Sequence, residues 1–292
     1  MHFKFQSSME YLMTYGWAIL LVAIVLIAIF SSGIFNSAAS APKTAAGACQ
    51  VYRPYGTGTS ELSLEGMCNS ALPQYVINEG PSSSGYVEVY GSASNSIHQS
   101  QAFTITGWLD ERRPVYGCNG SGVGPLGSTS FMMEMSNLYL YTGGCYNLGM
   151  FIQGLGFWSG LSFGQNNRWY FFAAEYNGLS NTIPNMILYL GDQNQTTTVP
   201  DNLVPSSSYI ELDSGFNGSV ANLQLYNSTL TPNQINAIRM EGIGGVPISL
   251  QNLVAWWPLN GNAQDYSENL NDGQAVSSVS YTSAWSSDYV AP

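Results

Sequence analysis

The hydrophobic pattern changes character once along the chain. From Trp17 to Phe30 it reads WAILLVAIVLIAIF without a polar residue. Counted back to Tyr11, this run is long enough to cross a bilayer, which takes about 20 residues at about 1.5 Å each. One long N-terminal helix is predicted there. Ser31 to Ala48 is small and polar with a single proline, the composition of a helix end and a linker. Beyond it the period becomes two. Alternation runs through YVEVY (Tyr86 to Tyr90), FTITGWL (Phe103 to Leu109), LYLY (Leu138 to Tyr141) and SVANLQLY (Ser219 to Tyr226). WYFFAAEY (Trp169 to Tyr176) and MILYL (Met186 to Leu190) are continuous and suit strands buried on both faces. One helix interrupts them: Thr231 as N-cap, Pro232 in the first turn, Gln234 as capping-box acceptor, Ile235 and Ile238 on one face, Gly242 at the end. Many strands separated by Gly, Ser and Pro predict a sandwich or jelly roll.

Composition narrows the function classes. The 292 residues hold 7 basic and 18 acidic side chains, net charge −11, with only 9% charged, against about 25% in an ordinary soluble domain. With 45% hydrophobic and 13% aromatic residues a core is assured. So few scattered basic residues cannot neutralise a phosphate backbone, which excludes nucleic acid as a partner. The two histidines are His2 and His98. His2 sits at the tip, so multi-histidine zinc sites are disfavoured and a histidine-dependent triad would need His98. Few charges with abundant Ser, Thr, Asn and Tyr suit an acid-exposed surface, where paired carboxylates would titrate and cost stability.

Ahead of the apolar run stand Gln6, Ser7, Ser8 and Glu10, and a carboxylate on the edge of a membrane helix is costly enough to suggest a purpose. Lys4, Phe5, Gln6, Ser8, Glu10, Tyr11 and Leu12, followed at once by the apolar helix, resemble archaeal type IV pilin-like proteins with a class III signal peptide. The resemblance implies a leader over residues 1–5, cleavage between Phe5 and Gln6 by a prepilin peptidase, and a hydrophobic helix over 6–35. It also implies that Glu10, fifth in the mature chain, meets the N-terminal amine of a neighbouring copy, which would relieve the cost of a lone carboxylate. The helix would lie in the membrane before assembly, with the large C-terminal part outside. The residues alone also suit a plain single-span anchor, or a secretory signal cut within Ser37 to Ala41.

After the linker at 36–48, residues 49–292 are expected to form one extracellular domain. Cys49, Cys68, Cys118 and Cys145 lack CxxC spacing and point to two disulfides. Of three pairings, Cys49 with Cys68 and Cys118 with Cys145 closes the shortest loops. Asn119, Asn194, Asn217 and Asn227 head glycosylation sequons. The stretches YVEV, FTITGW, NRWYFFAAEYNG, MILYLG and SVANLQLYNSTLTPNQINAI resemble laminin-G-like or concanavalin-A-like jelly rolls over Gly85 to Gly273. LVAWWPLNGNAQDYSENLNDG looks like that family's opening strand but comes last, implying a permuted order in which the C-terminal segment completes the sheet. The fold class expected is therefore mainly β, a jelly-roll sandwich preceded by one long N-terminal membrane or filament helix.

That fold superfamily holds lectins and glycoside hydrolases alike. A retaining hydrolase needs two carboxylates about 5 Å apart, and in YIELDSGF Glu211 and Asp213 alternate onto one side. The family's third acid is missing, since Gly215 and Phe216 stand there, so no catalytic residues are expected. No cofactor is required; Asp265, Glu268, Asn271 and Asp272 offer hard oxygens that calcium could use. Asp110 and Glu111 are followed by Arg112 and Arg113, which compensate them locally. Trp108, Trp169 and Trp256 are expected in the core, whereas Phe157 and Trp158, in the glycine-rich GLGFWSGLSFG, are candidates for ligand contact or subunit packing. The function expected is a structural subunit of a type IV pilus-like filament built of copies of this chain, displaying a jelly roll for adhesion or carbohydrate binding, its weak sites multiplied by avidity. A membrane-anchored monomeric lectin and a surface glycoside hydrolase are the alternatives.

Overall fold

A computed structural model of the chain describes residues 19–26, 49–51, 62–64, 72–80, 85–90, 92–112, 130–135, 137–143, 147–163, 167–179, 185–199 and 209–292. Phe5, Gln6, Glu10, the leader and the linker lie outside them, as do Cys68, Cys118, Cys145 and Asn119. Of the expected N-terminal helix, residues 19–26 are described and helical (α1), with Ile19, Leu20, Leu21, Val22, Ile24, Val25 and Leu26 all exposed. No helix among the described residues is long and apolar enough to cross a membrane. Cys49 opens the short strand β1 (Cys49–Val51), which pairs with β2 (Leu62–Leu64).

The body is two antiparallel sheets. Sheet A has eight strands: β3 (Val76–Glu79), β5 (Ala102–Glu111), β10 (Tyr170–Asn177), β11 (Met186–Leu190), β12 (Gln193–Thr197), β14 (Gly218–Tyr226), β15 (Leu253–Trp257) and β17 (Tyr281–Thr282). Its order is β12-β11-β10-β5-β14-β3-β17, with β15 sharing the β14 edge with β3. Sheet B has seven: β4 (Tyr86–Tyr90), β6 (Ser130–Met135), β7 (Leu138–Gly143), β8 (Asn147–Ile152), β9 (Leu155–Ser162), β13 (Tyr209–Leu212) and β16 (Gly273–Val276). Its order is β16-β4-β13-β6-β7-β8-β9. The C-terminal segment thus adds β15 and β17 to sheet A and β16 to sheet B. The edge strands β9 and β12 meet where Gly160 N donates to Gln195 Oε1, which covers two edges that would otherwise be open to pairing.

Alternation decides which residues meet between the sheets. Val87, Val89, Leu138, Leu140, Met150, Ile210 and Leu212 of sheet B face Ile77, Ile105, Leu109, Phe172, Leu188, Val220 and Leu225 of sheet A, all buried in one cluster. The short helix α2 (Ser92–Ser100) adds Ala93 and Ile97 to it. Sheet A has a second apolar layer on its outer face: Trp108, Trp169, Phe171, Tyr226 and Trp256 pack under Ile235 and Ile238 of α3 (Pro232–Glu241) and under Trp285 near the C-terminus. The expected core positions of Trp108, Trp169 and Trp256 are those observed, at 3%, 3% and 4% exposure.

Local chemistry fixes this second layer. Thr231 caps α3 with the full capping box, its Oγ1 accepting from Gln234 N while Gln234 Oε1 accepts from Thr231 N at 2.8 Å. In β14 the register shifts between Ala221 and Gln224, and Asn222 turns to φ 50°. This bulge aims Asn222 Oδ1 at the Trp256 indole N–H, 2.7 Å away, and its Nδ2 at the Gly245 carbonyl, 2.9 Å away. Sheet A is thereby covered on both faces. Among the described residues, no such layer packs on the outer face of sheet B.

Candidate functional site

That outer face is built from the outward positions of six strands. Strand pairing sets Glu88 opposite Glu211, Glu211 opposite Glu134, Glu134 opposite Tyr139, and Tyr139 opposite Phe151. Gln274 of β16 closes the row beside Glu88. Directly opposed side chains in antiparallel strands have Cβ atoms about 4.5–5.5 Å apart, so three glutamates stand shoulder to shoulder. Beside this row Tyr90 pairs with Tyr209, their ring centroids 6.5 Å apart. Tyr139 and Phe151 meet edge to face at 5.6 Å. Tyr90 is 55% exposed, and Tyr86, Tyr139, Phe151 and Tyr209 are half-buried. Tyr141 lies flat across β8 because residue 149 is glycine: a Cβ there would come within 2.7 Å of the ring.

The electrostatics of the face follow from this crowding. Like charges directly opposed across strands destabilise a sheet, and the fold has no need of them. Burial, and then the charge of Glu211, raises the pKa of Glu134 above the usual carboxylate range. The hydrogen bond to Glu88 is the largest effect on Tyr90, whose hydroxyl is pushed up to about 12. Burial and then the Glu211 and Glu88 charges raise Tyr86; burial and then Glu134 raise Tyr139. Burial alone lifts Tyr141 to about 12. The phenols therefore keep their protons as donors, and the glutamates beside them are acceptors. Rings, donors and paired acceptors on one exposed surface are what binding a polyhydroxylated ligand requires.

The structure separates the pair that alternation had placed together. Glu211 belongs to the outer row, while Asp213 is 1% exposed inside the protein. The glutamates that do flank Glu211 come from distant segments of the sequence. Phe157 and Trp158 lie in the strand β9. Phe157 is half-buried and packs against the inter-sheet core, and Trp158 stands opposite Gly149 in the register.

Asp265, Asn271 and Asp272 do come together, as a hydrogen-bonded knot. Asp265 Oδ1 accepts from the backbone N–H groups of Trp256 and Ser267, both at 2.8 Å. Its Oδ2 accepts from Ser267 Oγ at 2.7 Å and Asn271 N at 2.8 Å. Asn271 Nδ2 reaches the Val254 carbonyl at 2.9 Å, and Asp272 Oδ1 accepts from Asp265 N at 2.9 Å. A cation would have to displace these donors, so the knot as built does not fit calcium, and Glu268 is not among the groups that form it. Among the described residues no group of three or more His, Cys, Asp or Glu is placed to hold a metal. Of the sequon asparagines, Asn194 is exposed on β12, Asn227 is half-buried and Asn217 is buried. His98 is on the exposed side of α2. Arg112 Nε lies 3.1 Å from Asp110 Oδ2, the local compensation expected of that segment.

No family model matches the chain, and no curated protein sequence does. Solved structures match its fold. A proposed carbohydrate-binding protein from Bacteroides ovatus shares 13% identity at a TM-score of 0.52, over 77% of this chain and 66% of that one. A heptameric SAP-like pentraxin from Limulus polyphemus shares 10% identity at a TM-score of 0.45, over 72% of this chain and 94% of that one. The binding domain of a botulinum neurotoxin DC shares 14% at a TM-score of 0.39, over 56% and 40%. At these identities the likeness is one of fold. The chain is a mainly β protein whose two antiparallel sheets form a jelly-roll-like sandwich.

Proposed function

We propose that this sandwich is a glycan-binding module displayed at a cell surface, with the tyrosine and glutamate face of sheet B as its binding surface. The observation that carries this is the row Glu88, Glu211 and Glu134, flanked by Tyr90, Tyr139 and Tyr209, on a broad sheet face that no other described element covers. Carboxylates accept pairs of sugar hydroxyls, and aromatic rings stack on the apolar faces of pyranose units. The common fold of the Bacteroides ovatus protein supports the same class of ligand. Glycan-array binding by the full chain, compared with Glu211→Gln and Tyr209→Ala, tests it. Loss of binding in both variants with unchanged thermal midpoints is expected, and unchanged binding in both overturns it.

The display mechanism we propose is assembly into a pilus-like filament after cleavage before Gln6. It is supported by the segment from Lys4 to Leu12 and by α1, whose apolar side chains are exposed on all sides and call for lipid or other copies of the helix as surroundings. N-terminal sequencing of protein from its native surface should begin at Gln6 or its cyclised form. A start at Met1 leaves a membrane-anchored binding protein, and a start beyond Ser37 a secreted one; either rejects the filament.

One feature favours hydrolysis as a second reading. Glu134 and Glu211 are directly opposed, at a Cβ spacing of about 4.5–5.5 Å, close to the about 5–5.5 Å between the carboxyls of a retaining glycosidase. Glu134, with its raised pKa, would be the proton donor and Glu211 the nucleophile. Turnover of bound glycans that disappears in both Glu134→Gln and Glu211→Gln would establish it, and bound glycans recovered intact would reject it.

A further inference from the structure

The opposite side of the molecule holds a cleft of about 490 Å³, lined by Arg168 and Tyr170 at the start of β10, Asp192 and Gln193 at the β11–β12 turn, Trp108 of β5 and Arg239 of α3, among others. This volume lies within the about 300–1,000 Å³ usual for small-ligand sites. Two of the chain's seven basic residues meet there. Neither makes an ion pair among the described residues. Arg239 donates from Nε and Nη2 to Asn236 Oδ1 at 3.3 and 3.0 Å; Arg168 lies 5.7 Å from the Tyr170 ring centroid. In a chain of net charge −11, two guanidinium groups left without carboxylates on one cleft are a conspicuous use of scarce charge. Trp108 supplies an independent sign of a missing partner. It is 3% exposed, and its indole N–H is buried with no acceptor among the described residues, although indole N–H groups that leave water are normally bonded.

We infer that this cleft is a second binding site, for a sugar unit bearing a carboxylate. The ligand class rests on the glycan-binding reading above; the location does not, since the cleft opens on sheet A and the tyrosine and glutamate face belongs to sheet B. The arginines take the carboxylate, which suits the planar donor fork of a guanidinium. Asp192 and Gln193 are left to bond sugar hydroxyls. A neutral sugar offers the arginines hydroxyl acceptors but no charge, so it forgoes the stronger charge-assisted bonds that a carboxylate makes. Against its two arginines the cleft holds one acidic side chain, Asp192, and the C-terminal residue Pro292 also lines it. The remaining acidic surface is screened beyond about 8 Å at physiological salt.

The test is titration of the full chain with methyl β-D-glucuronide and methyl β-D-glucoside, followed by calorimetry and by the Trp108 indole N–H resonance. The glucuronide should bind at least tenfold more tightly and shift that resonance. The double variant Arg168→Gln, Arg239→Gln should lose at least tenfold in glucuronide affinity at an unchanged thermal midpoint, while Tyr209→Ala keeps it. Equal affinity for the two glycosides, a still indole resonance at saturation, or full affinity in the double variant each overturns the site. Displacement of glucuronide by an equal concentration of acetate overturns the sugar and leaves a general carboxylate pocket. Should the double variant not fold, the glycoside comparison and the indole resonance decide alone. The two sites fail separately: Tyr209→Ala reports on the sheet B face, and the arginine pair on the cleft.

Discussion

Glu211 and Asp213 are two residues apart and end on opposite sides of sheet B. Glu211 faces outward between Glu88 and Glu134. Asp213 leaves the strand at φ 61°, its N–H still bonded to the Met132 carbonyl at 3.0 Å. The left-handed step reverses the side chain's direction just where the chain turns from β13 in sheet B toward β14 in sheet A. Both carboxyl oxygens end buried without a hydrogen-bond partner among the described residues, and the charged neighbour that acts on them is another acid, Glu79.

Asp213 should therefore set part of the pH dependence of stability. Burial first, and then Glu79, raises its pKa well above the ordinary value. An acid whose pKa is higher folded than unfolded holds its proton more tightly in the fold. Its stabilising effect is complete below the unfolded value, about 3.9, and is lost as pH rises through the folded value. Burial shifts Glu175, Asp110 and Glu134 in the same direction. The thermal midpoint should fall between about pH 5 and pH 8, and Asp213→Asn should raise it at the upper end by at least about 2 °C and flatten the slope. A midpoint that climbs over this range would reject the account.

Asp265 makes a contrasting case, a buried carboxylate with every acceptor position used. Asp265→Ala strands the N–H groups of Trp256, Ser267 and Asn271 and the Ser267 hydroxyl. Each unsatisfied group costs about 1–3 kcal/mol, so a total loss above about 3 kcal/mol is expected in urea unfolding, and added calcium should restore none of it. A loss below about 1 kcal/mol would show that water takes the carboxylate's place and that the knot does not hold β15 to its loop.

Gly149→Ala tests the seat of Tyr141. The new methyl would meet the ring at 2.7 Å, and Tyr141 is only 5% exposed with little room to give. Overpacking of this kind costs about 1–3 kcal/mol. Gly156→Ala, whose nearest ring atom is 3.4 Å away, should be close to neutral, and equal losses at the two positions would contradict the packing described.

Period and capping made much of the sandwich legible. YVEVY, by its alternation, and MILYL, by its continuous apolar run, became β4 and β11 with the bounds read from the sequence, and the Thr231 capping box starts α3. SASNSIHQS was silent, because Ser and Asn are poor helix formers and α2 is held by the burial of Ala93, Ser94 and Ile97. β9 was hidden by its glycines, which are tolerated where pairing with β8 supplies the order. The site was half visible. Tyr86 with Glu88 and Tyr209 with Glu211 repeat Tyr-x-Glu, a phenol and an acid on one strand face. That these two pairs adjoin each other and Glu134 depends on register between distant strands, which no local pattern encodes.

The sheet B face should respond to pH in the opposite sense to the fold that carries it. Tyr90 is 55% exposed, so Tyr90→Ala should change stability by no more than about 0.5 kcal/mol while weakening glycan binding about tenfold, the scale of an aromatic contact at a binding surface. Tyr90→Phe, which keeps the ring and loses the bond to Glu88, should fall between. Protonation turns one of Glu134's two acceptor oxygens into a donor and removes the charge that strengthens its bonds to sugar hydroxyls. Because burial and Glu211 raise Glu134, binding should fade on acidification at a pH above the about 4.3 of an ordinary glutamate, in the same range where protonation of Asp213 makes the fold more stable. Glu134→Gln should remove that step from the binding profile and leave the stability slope set by Asp213. A binding profile flat to below about pH 4 in the parent chain would mean that the glutamate row does not contact the ligand.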